Sequence, residues 1–133
     1  MPGMDAAQSF AELREHEAAL PKTLYAVDAR VGPESPVTEV AVLQRLATAA
    51  VDAGGGHVLD ASHVVFPNGA ITLVLILAES HLSIHTWPEE DLIAIDLFSC
   101  GAIDGQRVLD ELTGALKLAE THITLVERGF PAS

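Results

Sequence analysis

The sequence predicts an α+β two-layer sandwich, a mainly antiparallel sheet with helices packed on one face. Three observations lead there. Four strand-like segments follow one another between residues 57 and 98, joined by turns too short for a parallel crossover. One of them, His81 to Trp87, puts Leu82 and Ile84 on one face and His81, Ser83, His85 and Trp87 on the other, the pattern of a half-buried strand. Helical spacing is confined to three segments outside that block, which suits a separate helical layer.

The elements follow in chain order. Residues Asp5 to Leu20 read as a helix, with Phe10, Leu13, Glu17 and Leu20 on one face and Pro21 as the stop. Leu24 to Ala29 is a short strand, and Gly32-Pro33-Glu34-Ser35-Pro36 a turn. Ser35 is a good N-cap and Pro36 a good first helical residue, so a second helix is expected to begin there. Val40, Leu43, Leu46, Ala47 and Ala50 form its core stripe, and Gly54-Gly55-Gly56 ends it. His57 to Phe66 is a strand, Pro67-Asn68-Gly69 a turn, and Ile71 to Ala78 a strand. The unbroken apolar character of this last strand predicts that both its faces are covered. After His81–Trp87 comes a loop at 88–91, then a strand from Leu92 to Phe98. Gln106 to Ala119 is a helix carrying Val108, Leu109, Leu112 and Leu116, and His122 to Glu127 the final strand.

The 133 residues fit one domain, and 49% apolar content is enough for a core. Seven basic against 19 acidic residues give a formal charge of -12. Such a chain repels nucleic acid and anionic membrane, so neither is an expected partner. A cationic substrate is compatible with that charge, although taken alone the charge is better explained by a self-repelling solvated surface. A single cysteine builds no internal disulfide, and the N-terminus reads as no signal peptide, so a cytoplasmic protein is expected. His57, His63, His81 and His122 lack the spacing of a zinc motif, and no metal is expected.

The chemistry concentrates just after the most apolar run. Glu79, Ser80, His81, Ser83, His85 and Trp87 follow Ile71–Leu77 directly, and Cys100 comes shortly afterwards. If His81–Trp87 and Leu92–Phe98 form a hairpin, Trp87 faces Leu92, His85 faces Ala94 and His81 faces Phe98. Continuing the register sets Cys100 opposite Glu79, beside Ser80, at roughly the 5 Å spacing of paired side chains. Parity adds a condition. Ser80 and His85 are separated by an odd number of residues, so they act together only if the backbone bends near Ser80.

The run Glu79-Ser80-His81-Leu82-Ser83-Ile84-His85-Thr86-Trp87-Pro88-Glu89, with Ala94-Ile95-Asp96-Leu97-Phe98-Ser99-Cys100-Gly101, closely resembles the prokaryotic S-adenosylmethionine decarboxylase proenzymes. The resemblance is near-continuous from about Thr72 to Gly101. It implies self-cleavage between Glu79 and Ser80, giving a β fragment, 1–79, and an α fragment, 80–133, with a pyruvoyl cofactor made from Ser80. That group would condense with the substrate amine as a Schiff base and act as an electron sink, as PLP does elsewhere. The resemblance further implies that His85 accepts a proton during processing, that Cys100 donates one to the decarboxylated carbon, and that Thr72 assists processing. It implies S-adenosylmethionine as substrate, supply of aminopropyl groups to spermidine synthesis, and a homodimer with sites built between subunits. Phe66 and Trp87 are candidates to sandwich the adenine, and Glu89 to bind the ribose hydroxyls.

Plainer readings stand beside these. Phe66 and Trp87 also suit a core, and Glu89 sits in an acidic loop with Glu90 and Asp91. The chain departs from the family where Thr23, not histidine, precedes Leu24, which bears on substrate identity. The rival readings are a pyruvoyl decarboxylase of arginine or ornithine and a regulatory paralogue that never processes.

Overall fold

A computed structural model describes residues 20–130 of the chain. The helix expected from Asp5 lies, apart from Leu20, outside the described residues. The strands are β1 (Lys22–Val31), β2 (Val58–Val65), β3 (Ile71–Leu77), β4 (Ser80–Trp87), β5 (Leu92–Cys100) and β6 (Leu118–Arg128), with helices α1 (Val40–Ala53) and α2 (Gly105–Ala115). One six-stranded sheet runs β2-β3-β4-β5-β1-β6. Every neighbouring pair is antiparallel. The two-layer α+β architecture is therefore as the sequence predicts.

Turn chemistry sets the register of the first four strands. At the β2–β3 hairpin, the Phe66 amide donates to the Ala70 carbonyl at 2.8 Å and the Gly69 amide to the Phe66 carbonyl at 2.9 Å. Between β4 and β5 a single 3-10 turn, Pro88–Glu90, closes the loop. The pairs Trp87–Leu92, His85–Ala94 and His81–Phe98 then form as the hairpin arithmetic requires. Alternate residues of these strands, Ile71, Leu73, Leu75, Leu82, Ile84, Ile93, Ile95 and Leu97, are almost wholly buried. They meet Leu43, Ala47 and Val51 of α1 and Val108, Leu109 and Leu112 of α2 in one core. Burial of this apolar area is the main force holding the layers together.

Three expectations need correction. The first helix begins at Val40, and its N-cap is Glu39, whose side chain makes no capping bond. Ser35 and Pro36 instead belong to two successive tight turns, Gly32–Ser35 and Pro36–Glu39. These bring Val37 into the core, and that burial outweighs the local capping preference. The second helix stops at Ala115 rather than 119, because Leu116 is fully buried and Lys117 turns back at φ +52°. β6 therefore starts at Leu118, where it can pair with Val31 of a β1 longer than expected. Finally, β3 is covered on one face only. Ile76 is 47% exposed, and Thr72 and Val74 are half-buried. Both helices pack on the opposite face, leaving a strongly apolar strand with an open side.

Candidate active site

The reactive side chains lie in two groups at opposite ends of β4, the first of them on the open face of the sheet. At its C-terminal end, β3 and β4 pair Thr72 with His85. Thr72 Oγ1 lies 3.2 Å from His85 Nδ1. The His85 ring stands 6.1 Å from that of Trp87, tilted by 35°. Phe66 leaves the end of β2 beside them, about half exposed, and Asn68 Nδ2 donates to Glu89 Oε2 at 3.1 Å across the cleft. Phe66, Thr72, His85, Trp87 and Glu89 together line one cavity of about 560 Å³. Its neighbours Asn68 and Thr86 supply polar atoms, and an aromatic-walled cleft with a few converging polar groups is the common form of a small-molecule site. Five residues singled out in the sequence thus share one hollow.

At the N-terminal end of β4 stands Ser80. It pairs with Leu77 across the two-residue turn Ala78-Glu79. Its φ of +150° is a conformation that residues with a Cβ rarely adopt, and strain of this kind costs about 1–3 kcal/mol. The backbone therefore departs from ordinary strand geometry at Ser80. Glu79 turns inward and is 1% exposed. Its Oε1 accepts the His57 amide at 2.9 Å, and its Oε2 lies 2.7 Å from His57 Nδ1. Cys100 is buried, two residues beyond Phe98, the partner of His81, and pairs with Lys22 on β1. The β4–β5 ladder runs only to His81–Phe98, so Glu79 and Cys100 are not the ladder pair that the continued register anticipated. Ser80 itself stays paired to Leu77 on β3, so it is the β4–β5 ladder alone that stops at His81. His81 and Phe98 stack on the open face with centroids 6.0 Å apart, and the Arg128 guanidinium lies 5.7 Å from the Phe98 ring centre.

This irregularity does not bring Ser80 to His85 within one chain. The two stand five steps apart along the strand, roughly 16 Å at the usual rise. His57 is the residue that sequence reasoning missed. Its signal was available in the β2–β3 hairpin register, which carries Val58 to Leu77 and so His57 to the turn before Ser80. Among the described residues no three His, Cys, Asp or Glu side chains converge as metal ligands, and no helix is long and apolar enough to cross a membrane.

An antiparallel sheet backed on one side by helices is the α+β two-layer class, here with hydroxyl and imidazole side chains along its open face. Residues 23–129 match the sequence profile of the family described as S-adenosylmethionine decarboxylase. The S-adenosylmethionine decarboxylase proenzyme 2 of Bacillus anthracis is 42% identical over 82 residues, covering 61% of this chain and 67% of that one. The S-adenosylmethionine decarboxylase proenzyme of Thermotoga maritima is 40% identical over 87 residues, covering 65% and 66%. Among solved structures, the adenosylmethionine decarboxylase from Aquifex aeolicus vf5 superposes with a TM-score of 0.72 at 26% identity, over 86% of this chain and 96% of that one. The chain belongs to the S-adenosylmethionine decarboxylase family and is a decarboxylase.

Proposed function

We propose that this chain is a proenzyme that cleaves itself between Glu79 and Ser80 and then decarboxylates S-adenosylmethionine, supplying aminopropyl groups for spermidine synthesis. The observation that carries the reading is the strained Ser80, at +150°, directly after a buried and anchored Glu79. Ser80 Oγ attacks the Glu79 carbonyl carbon, and the amide becomes an ester with Ser80 N released as an amine. Loss of the Ser80 Cα proton then breaks the Cβ–O bond and frees the Glu79 carboxylate. The dehydroalanine left at residue 80 tautomerises to an imine, and water releases ammonia to leave a pyruvoyl end. The products are a 1–79 fragment and an 80–133 fragment. A residue already held at a strained φ, directly after a short turn, suits this rearrangement because part of the distortion is present in the folded state. Once formed, the pyruvoyl group supplies the electron sink that no ordinary side chain offers.

The proton acceptor in this scheme is His85, in trans. With Nδ1–H donating to Thr72 Oγ1, its Nε2 is left as the base. Because His85 lies far from Ser80 in its own chain, the reading pairs it with Ser80 of a second subunit. Two-fold packing of the open sheet faces would form both sites at once, since an isologous contact sets each residue against its counterpart reciprocally. The apolar open face, with Ile76, Val64 and Trp87 exposed, supports such a homodimer. Phe66, Trp87 and Glu89 line the same cleft as His85 and would there hold the adenine and ribose, while Cys100 Sγ, at the Ser80 end, donates the proton to the product carbon. A cytoplasmic location completes the reading, supported by the single cysteine.

Intact mass of the purified protein tests processing, with two fragments expected and the smaller carrying a pyruvoyl end. An uncleaved chain without decarboxylase activity would sink the proposal. Release of labelled carbon dioxide from S-adenosylmethionine, with arginine and ornithine as controls, tests the substrate. Cys100→Ala is expected to cleave normally yet turn over roughly 10²–10⁴-fold more slowly, the range set by loss of a general acid. Thr72→Val is expected to slow cleavage about tenfold, consistent with the net worth of one hydrogen bond. Time courses of fragment appearance measure the second effect, and steady-state assays the first.

A further inference from the structure

We propose that His57 is a positioning residue for self-cleavage, clamping the acyl side of the Glu79–Ser80 bond. The inference rests on the processing site assigned above. Three hydrogen bonds join His57 to the two residues that precede Ser80. Its amide donates to Glu79 Oε1 at 2.9 Å, its ring Nδ1 lies 2.7 Å from Oε2, and its carbonyl accepts the Ala78 amide at 2.9 Å. Both oxygens of a carboxylate that is 1% exposed are thus engaged. A carboxylate is costly to bury unless paired, so losing the imidazole would drive the side chain, and the turn carrying it, towards water.

The surroundings are shaped for this contact. A Cβ on Gly56 would stand 2.6 Å from Ile103 Cδ1 and 2.7 Å from Val51 Cγ1, and 3.4 Å from Glu79 Oε1. Only a residue without a side chain lets the strand entry at His57 approach so closely. The glycine run therefore does more than end α1. The His57 ring is half exposed while the carboxylate is not, so the clamp closes from the solvent side over an interior anchor. With the Glu79 side chain and the Ala78 amide both held, the Glu79 carbonyl carbon is restrained in its approach to Ser80 Oγ. Intramolecular attack depends steeply on such placement.

The test follows the rate of fragment formation after synthesis in the full chain, for wild type, His57→Ala, His57→Asn, Glu79→Ala and the double variant H57A/E79A. His57→Ala is expected to slow cleavage about tenfold or more, as misplacement of reacting atoms does. Asparagine places an amide donor near Nδ1 and is expected to restore the rate to within about threefold. The double variant is expected to cleave no more slowly than Glu79→Ala, since the two side chains act as one unit. Turnover per processed site is expected to be unchanged once His57→Ala has cleaved. Wild-type cleavage rates in His57→Ala, or equal slowing by alanine and asparagine, would overturn the inference. Should His57→Ala fail to fold because its carboxylate is left unpaired, the double variant carries neither group, and slower cleavage than in Glu79→Ala would overturn the inference. A wild-type chain that never cleaves at Glu79–Ser80 would instead defeat the processing assignment itself.

Discussion

Replacing Ser80 by alanine is expected to leave the chain as a single polypeptide with no detectable decarboxylation. Alanine lacks the oxygen that attacks the Glu79 carbonyl, so neither the ester nor the elimination that follows can occur. No neighbouring hydroxyl can substitute. Ser83 lies on the open face three residues along β4, and Ser99 is buried on β5. The fold itself should survive. Ser80 is only half-buried, and no side-chain hydrogen bond of the core depends on it. Thermal unfolding should therefore stay close to that of the wild-type precursor, while intact mass shows one species. Two fragments from Ser80→Ala would refute the assignment outright.

Mixing two inactive variants is expected to restore activity. His85→Ala and Ser80→Ala are each expected to remain uncleaved, for different reasons. In a dimer holding one of each, the first chain contributes an intact Ser80 and the second an intact His85. One complete site results, and only the His85→Ala chain is cut. About half of randomly paired dimers are mixed, each with one complete site of two, so roughly a quarter of wild-type activity should return. Distinguishing mass tags on the two chains read which one is cleaved. If verified mixed dimers stay uncut, or if the Ser80→Ala partner makes no difference, a site shared between subunits is wrong. The prediction derives from one length. Ser80 and His85 stand five positions apart on one strand, which cannot fold back to join them.

Much of this site was legible beforehand because its parts are local. Alternation along His81–Trp87 sorted the reactive side chains onto one face, and a short loop converted that sorting into the register with Leu92–Phe98. Parity required a bend at Ser80 for Ser80 and His85 to act together within one chain; the backbone is irregular there, at φ +150°, yet the two stay at opposite ends of β4. Helix limits were less legible. Ser35-Pro36 is a good start signal, yet the need to bury Val37 moved the helix to Val40, and Leu116 with the left-handed Lys117 ended the second helix early. Capping and propensity are worth about 1 kcal/mol or less per residue, and core burial is worth more.

The sequence by itself determined the α+β class, the antiparallel hairpins and the setting of Ser80 and His85 on one strand, since each depends on residues close together in the chain. Tertiary structure decided what depends on distant segments. β1 inserts between β5 and β6, and packing of both helices on one side leaves the β3–β5 block with one open face. Packing of α1 brings the glycine run, and with it His57, onto Glu79. The layering of helices on one side turned an apparently two-sided buried strand into a surface able to meet a second copy. These contacts are fixed by close packing between elements, which local periodicity does not encode.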